Sequence, residues 1–403
     1  MHERYIARQP IFDLRTKLFG YELLFRNGPQ NVFSPAKEAS SRTIVDSTML
    51  FDLETLTGNA KAFINVDRNA LLNGAAFLLP PERTVVEILE SVEPTPEVVA
   101  ACQELCNKGY ALALDDFVDH AKYAPLTALA KFLKIDFRVS LSEERQAVAQ
   151  RYGPKGIHLL AEKVETQADL REAERFGYSH FQGYFFCRPS MVEAREVPAN
   201  KIIYLRLLET VVSSAELRYQ KVEEIIKQEP SLVYKLLRYL NSPLMGFRNE
   251  IRSVQHAIHL LGDREFRRWV SILALVAMAG EKPPELIRTA LTRGYFCEEI
   301  SGALGLATDS ADLFLMGLLS VTDALLDLPI ERVLAGLPVS QDVRSALSHQ
   351  KSRFSDVYDT VLFYEHADWT KLATTLAGRV DDAENRIAAC YMIAAKRANE
   401  VAA

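Results

Sequence analysis

Cysteine is scarce in this sequence, with five residues among 403 and no regular spacing between them. This indicates reduced thiols and argues against the small secreted proteins that disulfides stabilise. Long apolar runs are missing as well: residues 1–5 carry no apolar signal segment, and the most apolar helical stretch, 269–279, is too short to span a bilayer. Basic charge is not in excess, since the net charge is −6 and the pI is near 5.9. We therefore expect a cytoplasmic protein that binds neither DNA nor membrane.

The composition is otherwise ordinary for a globular protein, with 48% apolar and 25% charged residues, and the length predicts two or three domains. Up to about residue 198, β-type runs alternate with helical patterns, such as 97–108, which stops at Gly109, and 167–176, which stops at Gly177. This alternation predicts a parallel sheet with enough units to close a barrel. After Pro198, helical periodicity dominates. We predict an α/β barrel domain over residues 1–198 and an all-α domain over 199–403.

Seven segments of the first half each carry an acid, an amide or a lysine where a β-like run comes to its end. They are residues 21–26, 63–65, 85–90, 113–117, 132–136, 160–165 and 181–184. A carboxylate is costly to bury, so several such strands in succession suggest one shared site. In a β/α barrel that site lies where the strands end, and clustered carboxylates need cations to hold them together.

These segments resemble, in order, the motifs of the EAL domain, a bacterial phosphodiesterase barrel that cuts the second messenger cyclic di-GMP. The matching motifs are Glu22-Leu23-Leu24-Phe25-Arg26, Asn65, Glu87 with Glu90, Asp115-Asp116-Phe117, Lys134-Ile135-Asp136, Glu162-Lys163-Val164-Glu165 and Gln182-Gly183-Tyr184. One short match would mean little, but seven in the family's order are specific. The resemblance implies a TIM-like barrel and metal-dependent hydrolysis of cyclic di-GMP to linear pGpG.

The resemblance also implies a role for each matched residue. The metal ligands would be Glu22, Asn65, Glu87, Asp115 and Asp116. The catalytic residues would be Lys134, Glu162 and Gln182, of which Gln182 positions a water. Oxygen ligands of this kind suit Mg²⁺ or Mn²⁺, and a two-metal centre is expected, with Asp116 on the second metal. Arg26 would bind a phosphate of the ligand, and Glu90 and Glu165 would support the loops.

Two departures from the family pattern keep the function open. The Gly-Thr-Gly loop that usually follows Asp-Asp-Phe is replaced by Val118-Asp119-His120, and the glycine of Glu-Gly-Val-Glu is Lys163. Either change can weaken the second metal. An active phosphodiesterase, a silent cyclic di-GMP receptor and a scaffold without nucleotide binding all remain compatible with the sequence.

Some single residues have an equally good structural explanation. A helix cap or a surface salt bridge explains Glu90, Glu165 and Asp136 as well as a role in the site does. Lys163 is interpreted as a solvated loop residue, and His120 as an exposed loop histidine.

The second half resembles the HDOD domain, a helical relative of the HD phosphohydrolases. The resemblance is carried by residues 225–232, 235–242 and 251–262. Catalytic HD enzymes bind metal through a His-Asp dipeptide, which this chain lacks. In the run 316–321, Ser320 and Val321 stand where that dipeptide would be, and they cannot form the metal site. We therefore expect a regulatory module that binds a protein partner, and a homodimer is a further expectation.

Overall fold

A computed structural model describes residues 4–27, 53–187, 199–212, 219–227, 254–280, 282–379 and 383–402. The chain forms two compact units. One comprises Met1–Cys187 together with Asp359–Val401, and the other comprises Arg188–Tyr358. The end of the chain therefore folds with the first half, while the predicted domain division between residues 198 and 199 stays a prediction.

The first unit contains a closed barrel in which the eight strands follow one another in chain order. The strands are β1 (Arg4–Asp13), β2 (Leu18–Asn27), β3 (Lys61–Val66), β4 (Thr84–Ile88), β5 (Ala111–Leu114), β6 (Phe132–Asp136), β7 (His158–Glu162) and β8 (His180–Gln182). This confirms the predicted β/α barrel.

The prediction of an all-parallel sheet is wrong for β1, which runs antiparallel to both β2 and β8. A tight turn joins β1 to β2, and in it the Asp13 amide donates to the Lys17 carbonyl at 2.9 Å. The Asp13 carboxylate also accepts from the amides of Arg15 and Lys17. A connection this short can only join antiparallel strands, whereas parallel strands need a crossover of a dozen residues or more.

Helices connect the remaining strands. They are α1 (Leu53–Thr57), α2 (Arg68–Leu72), α3 (Pro96–Asn107), α4 (Ala124–Thr127), α5 (Ser142–Tyr152) and α6 (Gln167–Phe176). The helix predicted over 167–176 is confirmed, with Thr166 as its N-cap and Gly177 in the left-handed conformation at its end.

The core of the barrel is a layer of inward-facing apolar side chains. Its members are Ile11, Phe63, Val85, Ala113, Phe132 and Leu160. Phe63 and Phe132 pack edge to face with ring centroids 5.4 Å apart. Successive residues of a strand point to opposite faces, so the residue two positions after each core residue also points into the barrel. This alternation places the candidate site directly on top of the core layer.

The described helices of the second unit begin after the barrel. They are α7 (Ala199–Val212), α8 (Tyr219–Lys227), α9 (Val254–Ala279), α10 (Pro284–Ser301), α11 (Ser310–Leu319), α12 (Thr322–Leu326), α13 (Ile330–Ala335) and α14 (Gln341–Leu347). Helix α9 is interrupted at Gly262, whose backbone is not helical. Residues 228–253, which carry much of the HDOD resemblance, lie outside the described part of the chain.

Ser320 is buried at the end of α11, and its hydroxyl serves packing. It donates to the Gly317 carbonyl at 2.7 Å and accepts from the buried Arg293 at 3.1 Å.

Among the described helices of both units, none combines the length and the apolar character that crossing a membrane requires.

Three last helices return the chain to the barrel unit. They are α15 (Ser355–Glu365), which begins in the second unit and ends in the first, α16 (Trp369–Leu376) and α17 (Ala383–Ala402). Tyr364 anchors them to β1, because its hydroxyl donates to the Ile6 carbonyl at 3.0 Å. The Tyr364 ring lies 5.3 Å from that of Trp369 and 4.7 Å from that of Tyr391. Residues 359–401 are therefore part of the packing around the barrel.

Candidate active site

The barrel carries a polar layer, defined here as one polar residue from each strand or its immediate end. Its members are Gln9, Glu22, Asn65, Glu87, Asp115, Lys134, Glu162 and Gln182. Five members come two positions after a core-layer residue: Asn65, Glu87, Asp115, Lys134 and Glu162. Gln182 comes two positions after His180 in β8. Gln9 lies two positions before Ile11 because β1 runs in the opposite direction. The predicted convergence of the strand ends on one site is therefore what the barrel produces.

Lys134 lies at the centre of the polar layer with no exposed side-chain surface. Its ammonium nitrogen is 2.7 Å from a carboxylate oxygen of Asp115, 2.8 Å from one of Glu87 and 2.8 Å from one of Glu162. A fourth carboxylate, that of Glu22, lies 3.3 Å away. Four carboxylates around one ammonium leave an excess of negative charge, which is costly in a buried cluster. Additional positive charge would relieve that cost.

The pKa shifts of these buried groups are consistent with an excess of negative charge around Lys134. Burial raises the pKa of Glu162 to about 8 and raises that of Glu87 well above its ordinary value. Burial would also raise the pKa of Glu22, but Lys134 and hydrogen bonds from Gln182 and Asn65 hold it below its ordinary value. Burial alone would lower the pKa of Lys134, yet the surrounding carboxylates, Glu162 foremost, raise it well above that of a free lysine. Lys134 therefore stays charged.

Several buried oxygens of the polar layer accept no hydrogen bond among the described residues. They are Asn65 Oδ1, Glu87 Oε2, Glu162 Oε2 and Gln182 Oε1. Asn65 uses its amide nitrogen to donate to Glu22 at 3.0 Å, which leaves its oxygen available. Buried polar atoms normally have partners, and a donor set made only of oxygens suits a hard divalent cation. The polar layer thus fits such a cation.

A second acidic group lies at the rim of the polar layer. Carboxylate oxygens of Glu90, Asp115 and Asp116 lie within 4.8 Å of one another. Asp116 adopts a positive φ of 40°, which is uncommon for a residue other than glycine. Strained backbone of this kind is often found at functional sites.

Lys163 lies beside this second group. Its ammonium pairs with the Asp136 carboxylate and lies 3.7 Å from Asp116 Oδ1. Its φ of 55° falls in the left-handed region that glycine adopts most easily, which explains why the family motif has glycine there. The interpretation of Lys163 as a solvated loop residue is incomplete, because the half-exposed side chain carries its charge to two aspartates.

The other predicted residues occupy varied surroundings. Arg26 belongs to β2, but its side chain lies outside what the structure describes. Glu90 is exposed, and Glu165 is half-buried and pairs with Arg138. His120 is exposed, as predicted.

The altered loop after Asp116 is fastened to α5. Asp119 accepts a hydrogen bond from the Tyr152 hydroxyl at 2.7 Å and pairs with Arg151 at 2.9 Å. The Val118 side chain is largely exposed. A cavity of about 240 Å³ lies beside this loop and is lined by Asp115, Asp116 and apolar side chains.

Gln9 is the member of the polar layer that sequence reasoning missed. Its side-chain oxygen accepts a hydrogen bond from Gln182 at 3.1 Å, and the same Gln182 nitrogen donates to Glu22 at 2.7 Å. The available signal was two apolar pairs, Ile6-Ala7 and Ile11-Phe12, and the intervening Arg8-Gln9-Pro10 obscures it because proline in a run argues against a strand.

The chain matches two protein families and two curated proteins. A model of the EAL domain matches residues 3–189, and a model of the HDOD domain matches residues 198–327. Over 374 residues the chain is 34% identical to the cyclic di-GMP phosphodiesterase CdgJ of Vibrio cholerae, covering 92% of this chain and 86% of that protein. It is 32% identical to the uncharacterised protein YuxH of Bacillus subtilis, covering 91% of each.

Two solved structures show a more distant likeness. The YkuI protein of Bacillus subtilis, which has an EAL domain and was crystallised with cyclic di-GMP and calcium, aligns with a TM-score of 0.40 and 18% identity over 65% of this chain and 72% of that one. BlrP1 of Klebsiella pneumoniae aligns with a TM-score of 0.38 and 22% identity over 46% and 56%. Similarity at this level supports no inference about ligands. On the extent of the match to CdgJ and on both family models, the chain belongs to the family of proteins in which an EAL domain is followed by an HDOD domain.

Proposed function

We propose that the chain is a metal-dependent phosphodiesterase that hydrolyses cyclic di-GMP to linear pGpG. The observation that carries this proposal is the polar layer, where the carboxylates of Glu22, Glu87, Asp115 and Glu162 surround Lys134 and several buried oxygens accept no hydrogen bond among the described residues. The activity in the name of CdgJ, a relative over nearly the whole chain, supports the same substrate.

A divalent cation, Mg²⁺ or Mn²⁺, would be held by Glu22, Asn65, Glu87 and Asp115, with Asp116 serving a second ion. Bound there, such a cation would supply charge stabilisation for the phosphate and lower the pKa of water. Each of these side chains offers oxygen, and none offers sulfur, which suits these hard ions better than softer metals.

The chain's own residues would prepare the reaction. Lys134 holds four carboxylates together and keeps its positive charge, so it also offsets charge that develops on the phosphate. Gln182 gives both amide hydrogens to Glu22 and Gln9, so its oxygen is left to accept a hydrogen bond from the attacking water and orient it. Glu162 pairs with Lys134 through one oxygen and keeps the other without a hydrogen bond within the described chain. Arg26 would bind a phosphate of the substrate.

A non-catalytic receptor for cyclic di-GMP is the second candidate, and one observation favours it. Lys163 brings a permanent positive charge next to Asp116 and Asp136, where a second cation would be repelled. Substrate could then bind without efficient hydrolysis. The phosphodiesterase and the receptor would both bind cyclic di-GMP, but only the phosphodiesterase would hydrolyse it.

The experiment is nucleotide chromatography after purified full-length chain is incubated with cyclic di-GMP and either Mg²⁺ or Mn²⁺. We expect linear pGpG from the wild type, none after the metal is chelated, and none from Glu22→Ala. Thermal stabilisation by cyclic di-GMP without any product would support the receptor instead. If cyclic di-GMP gives neither product nor thermal stabilisation, the remaining interpretation is a scaffold without nucleotide binding.

The remaining predictions concern the whole protein. A protein partner for the HDOD domain, a homodimer and a cytoplasmic location stay predictions from the sequence. So do the support of loops by Glu90 and Glu165 and the absence of DNA binding.

A further inference from the structure

The end of α15 contacts the barrel beside the polar layer. The Glu365 carbonyl accepts a hydrogen bond from the Tyr184 hydroxyl at 2.8 Å and a longer one from the Gln9 side-chain nitrogen at 3.5 Å. The rings of Tyr184 and His366 stack with centroids 4.1 Å apart. Residues 365 and 366 lie beyond both family matches, which end at residues 189 and 327. A segment outside either matched domain therefore reaches a residue of the polar layer.

A chain of hydrogen bonds joins the Glu365 carbonyl to the Glu22 carboxylate through Gln9 and Gln182, and the direction of each bond in it is fixed. A backbone carbonyl and an ionised carboxylate can only accept hydrogen bonds, whereas a glutamine amide can be turned either way. Glu22 at one end requires the nitrogen of Gln182, and the Glu365 carbonyl at the other end requires the nitrogen of Gln9. The oxygen of Gln9 must then face Gln182, which is what the 3.1 Å bond shows.

This direction decides which atom Gln182 presents to the site. With both amide hydrogens used by Gln9 and Glu22, its side-chain oxygen faces the polar layer as an acceptor without a partner in the described residues. If Gln9 were turned over, its nitrogen would face the Gln182 nitrogen, and Gln182 would lose this orientation. The Glu365 carbonyl at one end and the Glu22 carboxylate at the other therefore select the same orientation of both amides.

The carbonyl itself is held firmly. Its helix is anchored one residue earlier, where the fully buried Tyr364 bonds to the Ile6 carbonyl of β1. Ile6 lies on the same strand as Gln9, and Ile11 of that strand pairs with Gln182 in β8. Strand β1 thus carries both Ile6, to which α15 is anchored, and Gln9, whose amide donates to the Glu365 carbonyl.

We propose that Gln9 is a positioning residue for Gln182, and that the C-terminal segment sets its orientation through the Glu365 carbonyl. The inference rests on the proposed phosphodiesterase function for its kinetic consequence. Its structural consequence is a more firmly held Glu22, because the same Gln182 amide donates to that carboxylate.

A double-mutant cycle on the full-length chain tests this inference. The variants are Gln9→Leu, Gln182→Ala and both together, with Gln103→Leu on the exposed face of α3 as the matched control. Two properties are measured: the turnover of cyclic di-GMP with Mn²⁺, as kcat and KM, and the binding of Mn²⁺ alone, as a dissociation constant from calorimetry. Melting temperatures show whether each variant is folded.

We expect Gln9→Leu to lower kcat roughly tenfold with KM within about twofold of the wild type, as a misplaced water would. It should also weaken Mn²⁺ binding. In the Gln182→Ala background Gln9→Leu should have little further effect, since a residue that acts through another shows non-additive effects. Additive losses, or a Gln9→Leu variant that matches Gln103→Leu in both quantities, would overturn the proposal.

The contribution of the C-terminal segment is tested separately with Tyr184→Phe, which removes one bond to the Glu365 carbonyl. It should lower kcat in the wild type and have no effect in Gln9→Leu. An equal effect in both backgrounds would show that Tyr184 acts by another route. If the wild type does not hydrolyse cyclic di-GMP, the proposed function fails, and the Mn²⁺ dissociation constants still decide the positioning role.

Discussion

At the scale of single residues, Lys163 is one of the two departures from the family motifs. Its ammonium lies between two aspartates at the rim of the polar layer, one of which the family resemblance assigns to a second metal. A fixed charge there repels a second cation but also offsets the negative charge of the aspartates. The substitution therefore bears on how many cations the site holds.

We predict that Lys163→Gly raises the number or the affinity of bound Mn²⁺ ions, because it removes the competing charge and restores the residue that a positive φ favours. Calorimetric titration of the full-length chain with Mn²⁺ measures both. Lys163→Met is the matched control, since it removes the charge and keeps a side chain on the same backbone. Identical stoichiometry and affinity in the wild type and both variants would contradict the prediction.

Gly183 is required by a close approach of two backbones. With φ of 148°, a Cβ atom at this position would lie 2.1 Å from the Val164 carbonyl oxygen. We predict that Gly183→Ala lowers the free energy of unfolding by about 3 kcal/mol or more, because backbone atoms must move to accommodate it.

Gly156→Ala provides the control for this prediction, since its φ is also positive and no atom lies within 4 Å. It should cost about 1 kcal/mol, from backbone conformation alone. Urea unfolding monitored by circular dichroism compares the two. A smaller loss for Gly183→Ala than for Gly156→Ala would count against a steric requirement at Gly183.

At the scale of elements, the strands that carry acids could be predicted and the strand that carries Gln9 could not. Segments 85–90 and 132–136 are mainly apolar and end on an acid, and they contribute most of β4 and all of β6. β1 contains Arg8 and Pro10, which are unfavourable in most strands. The barrel tolerates Arg8 because its guanidinium lies over the Tyr21 ring at 4.7 Å and bonds to the Leu56 carbonyl. Such compensation depends on contacts distant in sequence.

The anchoring of α15 on β1 could not be predicted from the sequence either, because it joins residues more than 350 positions apart. We predict that Tyr364→Phe lowers the free energy of unfolding by about 1–2 kcal/mol, since the Ile6 carbonyl loses a buried donor. Urea unfolding with the tryptophan fluorescence of the chain as the probe measures the change. An unchanged transition would show that this bond contributes nothing to holding the C-terminal segment on the barrel.

At the scale of the whole molecule, the amino end of β8 contains a group whose titration should affect the stability of the barrel. Burial, with a smaller effect from His158, lowers the pKa of His180 to about 4, while Asp13 raises it slightly. The His180 ring lies 4.4 Å from that of Phe19 and 5.3 Å from that of Phe132, in surroundings that favour the neutral form.

The unfolded chain therefore binds a proton at His180 more readily than the folded chain does. Stability from this group is fully present above the ordinary pKa of 6.5 and is lost as the pH falls towards 4, by about 3 kcal/mol at most. We predict that His180→Phe flattens the pH dependence of the melting temperature between pH 6.5 and 4.5. A parallel decline in wild type and variant would assign the acid sensitivity to other groups.

The division into a barrel and a helical half could be read from the sequence, because periodicity changes near residue 198 and is a local property. The return of residues 359–401 to the barrel could not, since their helical pattern does not reveal which surface they cover. In the site, Glu22, Glu87 and Lys134 were predictable from motif order, whereas the pairing of Lys163 with two aspartates depends on how three strand ends converge.

The central claim is that the polar layer directs water to a phosphodiester of cyclic di-GMP. The most direct measurement is mass spectrometry of the product formed by the full-length chain with Mn²⁺ in ¹⁸O-labelled water. The account predicts linear pGpG with one ¹⁸O atom on its terminal phosphate from the wild type, and no product from Glu22→Ala. Intact cyclic di-GMP in both samples, or equal hydrolysis by both, would contradict it.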